Sequence, residues 1–148
     1  MAVAFSVENL SYKYPSSEEN VIKGISFDVL EGEIFGLLGP SGAGKSTTQK
    51  ILIRLLEGYR GTIKYFGKNL NSMDNSFYEE IGVGFEVPVY FTKLTALENM
   101  KFFSGFYKKT GDIQELMERV GLWEYRDVKV GEFSKGMKVR LNFVRAML

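Results

Sequence analysis

The sequence has no cysteine and no histidine, and only three prolines and one tryptophan among its 148 residues. Without cysteine the chain can form no disulfide and no thiolate metal site, and without histidine it has no imidazole acid, base or metal ligand. Its 19 lysines and arginines nearly balance its 18 aspartates and glutamates. Because no charge of one sign dominates, we predict no nucleic-acid partner.

Long hydrophobic runs are also missing. No apolar stretch approaches the ~20 residues of a membrane-spanning helix. The first residues reach Glu8 too early for the apolar region of a signal peptide. The expected location is therefore the cytoplasm, and the length suits one domain with a sizeable core.

The first part of the chain is rich in predicted strands. Val3–Leu10 and Gly24–Leu30 partly alternate apolar and polar residues, as half-buried strands do, and Gly61–Leu70 is typical of a hairpin. Glu33–Gly39 is apolar almost throughout, which predicts a strand covered on both faces in a parallel sheet. A further strand is predicted at Gly82–Val87.

The second part is rich in predicted helices. The stretches "TALE" from Thr95 and "DIQE" from Asp112 have the pattern of capping boxes, in which an N-cap side chain is followed three residues later by glutamate. A last helix is predicted from Ser134. Its apolar residues fall on one face at helical spacing: Met137, Leu141, Val144 and Leu148.

The most informative motif is "GPSGAGKST", which matches the pattern G-x-x-x-x-G-K-[ST] of phosphate-binding loops. A predicted strand precedes it and a predicted amphipathic helix follows it, which argues against an ordinary Gly-rich turn. Glycines let N–H groups face phosphate oxygens, and the helix N-terminus adds partial positive charge. The candidate phosphate-binding residues are Gly39, Pro40, Ser41, Gly42, Ala43, Gly44, Lys45, Ser46 and Thr47.

Within this loop, Lys45 is expected to reach the β- and γ-phosphates, and Ser46 to offer its hydroxyl to Mg²⁺. The motif by itself does not decide the function, because kinases, GTPases, motors and transport ATPases all share it.

A second motif resembles the signature of ATP-binding cassette ATPases. "FSKGMKVRL" is similar to the usual L-S-G-G-Q, which a basic residue and a helix follow. Ser134 and Gly136 match the Ser and the second Gly, whereas Phe133, Lys135 and Met137 stand where the family has Leu, Gly and Gln. The block up to the phosphate-binding loop also resembles this family, and "LTALENMKFF" resembles the helical lobe of its drug- or antibiotic-export-type members. The resemblance spans the whole sequence.

The resemblance implies an α/β, P-loop NTPase fold with an N-terminal antiparallel β subdomain and a helical subdomain. Residues 1–86 would form the β subdomain and P-loop core, and residues 87–148 the helical subdomain with the signature helix. ATP and Mg²⁺ are the implied cofactors. The implied function is ATP-powered export, with a second nucleotide-binding domain in a head-to-tail dimer and a transmembrane permease subunit as partners. The permease would hold the protein at the inner face of the membrane.

The resemblance also implies roles for individual residues. Tyr14 falls where the family stacks an aromatic ring on adenine, although Tyr12 is a rival on the same face of the segment. Ser134 and Gly136 would bind the γ-phosphate held by a second subunit, although a plain helix N-cap would also use Ser134. Glu86 stands where the family has a Gln that touches Mg²⁺ and the attacking water.

For Glu86 the alternative is a solvated charge at a strand end. The implied catalytic residues are thus Lys45 and Glu86, and the implied metal ligands are Ser46 and Glu86, since a carboxylate is a good Mg²⁺ ligand.

The family's next motif, an apolar strand ending in Asp-Glu, is not found in this sequence, and neither is its later switch histidine. We therefore expect a nucleotide-binding domain truncated after the signature motif, with its C-terminal part missing. Whether the chain is an enzyme is left open. ATPase activity is expected of an intact parent protein. For these 148 residues we expect negligible ATP hydrolysis, nucleotide binding that is weaker than in the parent protein, and self-association.

Three alternatives remain at this point. One is a soluble cassette ATPase of translation or DNA repair. Another is a P-loop kinase, which would need an acceptor site and a basic lid. The last is a catalytically inactive nucleotide-binding fragment.

Overall fold

The computed structural model describes residues 2–148, which form two compact units. The first unit ends at Asp74 and the second runs from Asn75 to Leu148. This division falls earlier in the chain than the boundary after Glu86 that the sequence suggests.

The first unit is built on a four-stranded antiparallel sheet. Its strands are β1 (Val3–Tyr12), β2 (Ile22–Leu30), β3 (Arg60–Tyr65) and β4 (Lys68–Asn69), in the order β2-β1-β3-β4. The predictions of strands at Val3–Leu10 and Gly24–Leu30 and of a hairpin at Gly61–Leu70, and with them the antiparallel β subdomain, are therefore confirmed.

Helix α1 (Lys45–Leu52) is the helix of this unit, and a 3-10 turn follows β4 at Leu70–Ser72. The buried apolar side chains of the unit come from all three long strands, from α1 and from the turn: Val7, Leu10, Tyr12, Ile22, Ile51, Ile63, Tyr65 and Leu70. In β3 the exposed Lys64 lies between the buried Ile63 and Tyr65, as expected for a sheet with one covered face.

The prediction of a strand at Glu33–Gly39 is wrong for this structure. The segment has no regular secondary structure and no strand pairing, and Ile34 and Leu38 are 101% and 96% exposed. A strand needs a neighbour to satisfy its backbone N–H and C=O groups, and no strand among residues 2–148 pairs with this one. Its apolar pattern predicted burial, but burial depends on a partner.

The second unit contains α2 (Ala96–Ser104), α3 (Ile113–Arg119) and α4 (Lys135–Ala146). Short 3-10 turns lie at Asn75–Glu79, Trp123–Tyr125 and Val130–Glu132. The three helices pack around one apolar core, whose fully buried members include Met100, Met117, Leu122, Leu141 and Val144. The predicted apolar face of α4 is the face that enters this core.

Both predicted N-caps are present. Thr95 and Glu98 form the complete capping box of α2: the Thr95 hydroxyl accepts from Glu98 N at 3.1 Å, and Thr95 N donates to the Glu98 carboxylate at 2.8 Å. At α3 only half of the box forms, with Asp112 accepting from Glu115 N at 2.9 Å. The Glu115 carboxylate turns instead to Arg119, at 2.6 Å.

The prediction of a strand at Gly82–Val87 is also wrong, because the segment has no strand pairing within the described chain. The Asn142 side chain of α4 donates a hydrogen bond to Phe85 O of this segment instead. A search of residues 2–148 finds no helix with the length and apolar character to cross a membrane.

Candidate functional site

The Gly39–Thr47 loop leads directly into α1. Its last residue before the helix, Gly44, has φ 85°, a left-handed conformation that glycine adopts at little cost. A Cβ at this position would lie 3.0 Å from Val21 O and 3.1 Å from Ile22 Cγ1. The loop backbone therefore lies against the start of β2. Glycine is required at position 44 because a side chain would have no room there and because the backbone is left-handed.

Lys45, the first residue of α1, folds back over the loop. Its Nζ donates hydrogen bonds of 2.7 Å to the carbonyl oxygens of Gly39 and Pro40. The ammonium group is thus held at the loop rather than extended into solvent. A flexible lysine with three donors can exchange such carbonyl partners for phosphate oxygens without leaving the loop.

Two threonines fix the first turn of α1. Thr48 Oγ1 donates to Gly44 O at 2.9 Å, and Thr47 Oγ1 shares a hydrogen bond of 3.1 Å with the Tyr14 hydroxyl. Thr47 and Thr48 are buried, whereas Ser46 between them is exposed. The Ser46 hydroxyl is therefore presented outward from the helix N-terminus.

The structure separates the two tyrosines that the sequence left as rivals. Tyr12 is only 6% exposed, belongs to the core and pairs with Ile22 across the sheet. Tyr14 is half-buried, and its ring meets the Tyr12 ring edge-on at a centroid distance of 5.0 Å. Of the two, Tyr14 is the one with ring surface available to a ligand.

Sequence reasoning missed an open groove of about 530 Å³ beside the loop. It is lined by Ser17, Glu19, Asn20, Val21, Ile22, Lys23, Ile25, Gly42 and Ala43. The turn between the first two strands supplies much of this lining, and its polar sequence gave no signal beyond a loop. Tyr14 does not line the groove.

In the second unit, Ser134 is the N-cap of α4. Its Oγ accepts from Met137 N at 3.2 Å. A Cβ at Gly136 would meet only Ser134 Oγ, at 4.0 Å, so the backbone there is open to approach. Phe133 is buried and Met137 partly buried in the core. Two of the three departures from the signature pattern, Phe133 and Met137, therefore serve packing, while Ser134 and Gly136 stay exposed.

Glu86 lies on the irregular segment of the second unit and is exposed. The carbonyl before it, Phe85 O, accepts from Asn142 Nδ2 of α4 at 2.8 Å. Among the described residues, no cluster of three or more acidic, His or Cys side chains could hold a metal ion. Magnesium binding by Ser46 and Glu86 remains a prediction.

An aromatic groove of about 500 Å³ lies beside this segment. Its lining is Phe85, Val87, Val89, Tyr90, Phe91, Phe102, Phe103, Phe106 and Arg145. Burial raises the pKa of Tyr90 to about 12, and the positive charge of Arg145 partly opposes this shift. No pattern in the sequence gave a reason to single out Arg145 or Asn142.

Comparisons with known proteins agree on one family. The family model described as "ABC transporter" matches residues 22–148. A "Fluoroquinolones export ATP-binding protein" of Mycobacterium tuberculosis is 46% identical over 143 residues, covering 96% of this chain and 48% of that protein. The "Bacitracin transport ATP-binding protein BcrA" of Bacillus licheniformis is 36% identical over 151 residues, covering 100% of this chain and 48% of that protein. The chain thus spans about half the length of the curated relatives it matches.

Solved structures agree on the fold. The structure of an "ATP binding subunit of ABC transporter" superposes with a TM-score of 0.81 at 31% identity, covering 97% of this chain and 61% of that one. A bacterial Atm1-family exporter with ATP bound gives a TM-score of 0.84 at 21% identity, over 99% of this chain and 27% of that one. The expected α/β fold of P-loop ATPases is confirmed.

Proposed function

Because the chain belongs to the ABC transporter family, we propose that it is the ATP-binding part of a subunit that powers export through a membrane permease. The observation that carries this proposal is the Gly39–Thr47 loop with Lys45 Nζ held 2.7 Å from two of its carbonyl oxygens. A lysine ammonium group and a helix N-terminus at one glycine-rich loop are the elements of a phosphate-binding site.

Each part of this site has a proposed role toward ATP. The loop N–H groups and Lys45 bind the phosphates, and the outward-facing Ser46 hydroxyl binds Mg²⁺. Tyr14 stacks on the base, with its ring position fixed by the hydrogen bond of its hydroxyl to Thr47. The groove next to Gly42 offers room for the rest of the nucleoside.

The second unit is proposed to act on the nucleotide of a second subunit. Ser134 presents a hydroxyl at the N-terminus of α4, and Gly136 leaves the backbone there open. Such an end favours anions through its N–H groups and the helix dipole. In a head-to-tail dimer it would meet the γ-phosphate bound by the partner. Glu86 is proposed as the carboxylate directed to Mg²⁺ and the attacking water.

Export is the proposed direction of transport, because relatives that cover the chain almost completely are named for fluoroquinolone export and bacitracin transport. These names favour a transporter over a soluble ATPase of translation or DNA repair. The proposed partner is a permease, and the proposed location is the inner face of the membrane. The aromatic groove fits an apolar helical segment of that permease, since Phe85, Phe91, Phe102 and Phe106 are all at least 44% exposed.

The test is a nucleotide titration with matched lysine variants. Wild type is expected to bind ATP with Mg²⁺, and Lys45→Ala to weaken binding at least tenfold, because charge-assisted hydrogen bonds to phosphate are lost. Lys50→Ala is the control, because it removes the same charge from an exposed position of the same helix. Calorimetry that shows equal affinity for wild type and Lys45→Ala would overturn the proposal.

A further inference from the structure

Helix α4 holds the Glu86 segment through side chains on one of its faces. Asn142 Nδ2 donates to Phe85 O at 2.8 Å, and Arg145 Nη1 donates to Val89 O at 3.2 Å. The two acceptors lie immediately before Glu86 and three residues after it. Both ends of the short segment that carries the carboxylate are therefore fixed to the same helix.

In a third hydrogen bond the donor lies next to the segment and the acceptor lies on α4. The Tyr90 hydroxyl donates to the main-chain oxygen of Lys138 at 3.3 Å. Positions 138, 142 and 145 are spaced by four and three residues, so they lie on one face of an α-helix. The contacts with the segment thus extend over about two turns of α4.

Packing adds to these hydrogen bonds. The guanidinium of Arg145 lies 4.9 Å from the ring centroid of Phe103 and 5.6 Å from those of Phe85 and Tyr90. Cation–π contacts at such distances are attractive, and they fix the plane of the guanidinium. Arg145 is therefore oriented by three rings while it binds Val89 O.

These contacts take the place of a sheet ladder. The segment has no strand pairing among the described residues, so the side-chain hydrogen bonds from α4 fix the position of its backbone. Asn142 is only 8% exposed, so the donor of the hydrogen bond to Phe85 O is largely removed from water. The contacts join positions 56 and 57 residues apart in sequence.

We propose that Asn142 and Arg145 are positioning residues for Glu86: they lock the segment to α4, so that the helix capped by Ser134 sets where the Glu86 carboxylate lies. The inference rests on the proposed function, in which Glu86 is directed to Mg²⁺. The physical link is a single rigid helix, with the proposed anion-binding end at Ser134 and the two tethers in its C-terminal half.

The first test measures the tether without nucleotide. Because the chain has no cysteine, Glu86→Cys can carry one nitroxide label at a unique site. Asn142→Ala and, independently, Arg145→Gln are expected to sharpen the electron paramagnetic resonance line of the label, since each frees one end of the segment. Arg140→Gln is the matched control, because Arg140 lies on the same helix but donates to Val120 O at 2.8 Å. An unchanged line in both test variants, or equal sharpening in the control, overturns the proposal.

The second test measures the consequence for Glu86 in unlabelled protein. The quantity is the ratio of ATP affinities with and without Mg²⁺. Glu86→Gln and Asn142→Ala are each expected to lower this ratio by about three- to tenfold, the range of one net hydrogen bond. The double variant is expected to lose no more than Glu86→Gln alone, since both changes act on one group.

The two outcomes separate the inference from the proposed function. A ratio that falls in Glu86→Gln but not in Asn142→Ala contradicts the positioning role and leaves the proposed function intact. Failure of wild type to bind ATP contradicts the proposed function, and the label at position 86 still decides whether α4 holds the segment.

Discussion

Replacing Gly44 by alanine is expected to destabilise the first unit through a contact that the structure defines. The new Cβ would lie 3.0 Å from Val21 O and 3.1 Å from Ile22 Cγ1. Val21 cannot easily retreat, since its N–H donates to Tyr12 O at 2.8 Å, beside the first pair of the β1–β2 ladder. The loop itself must therefore move.

The magnitude has two parts. A non-glycine residue in the left-handed conformation costs about 1–2 kcal/mol. Overpacking against a fixed backbone adds about 1–3 kcal/mol. Gly42→Ala isolates the first part, because Gly42 has nearly the same φ, 81°, and a Cβ there would meet nothing within 4 Å. We expect a loss of about 1–2 kcal/mol for Gly42→Ala and about 2–5 kcal/mol for Gly44→Ala.

Hydrogen exchange of the β1 and β2 amides is the suitable assay, because it reports on the first unit alone. Fluorescence of the single tryptophan, Trp123, would report on the second unit. The protection lost on substitution converts to a change in opening free energy. Equal losses in Gly44→Ala and Gly42→Ala would show that the contact with Val21 and Ile22 does not constrain the loop.

Two further predictions concern the second unit. Leu141→Ala is expected to lower the unfolding free energy of this unit by about 2–5 kcal/mol, since the Leu141 side chain is fully buried. Urea unfolding followed by Trp123 fluorescence measures this loss. Val139→Ala, at an exposed position of the same helix, is the control and is expected to change the unfolding free energy little. Glu98→Gln is expected to reduce the acid sensitivity of the unit. The Thr95 backbone N–H lowers the pKa of Glu98, so its stabilisation is full above the ordinary value of 4.5 and is lost as the pH falls through the lowered pKa. Equal losses of stability between about pH 7 and about pH 3 in wild type and Glu98→Gln would contradict this reasoning.

Much of the local structure follows from short-range patterns. The antiparallel strands, the hairpin, the Thr95 capping box and the apolar face of α4 are all present where alternation, helical spacing and cap residues predicted them. Each of these features depends on residues within a few positions of one another, so a short stretch of sequence is enough to predict it.

The wrong predictions have one cause. Glu33–Gly39 and Gly82–Val87 have the composition of buried strands, yet neither is paired among residues 2–148. Composition expresses a preference for a covered, hydrogen-bonded environment, and only another part of a fold can supply it. A run of apolar residues therefore predicts a strand less securely than a cap predicts a helix start.

The sequence by itself determined the phosphate-binding loop, the family and the residue types at the candidate site, because a glycine-rich loop next to a lysine is a property of consecutive residues. Only the tertiary structure shows that Tyr12 belongs to the core whereas Tyr14 stays half-buried. It also decided that Asn142 and Arg145 hold the segment of Glu86, more than fifty residues away in sequence. Contacts at such separations exist only once the chain has folded, and no local pattern specifies them.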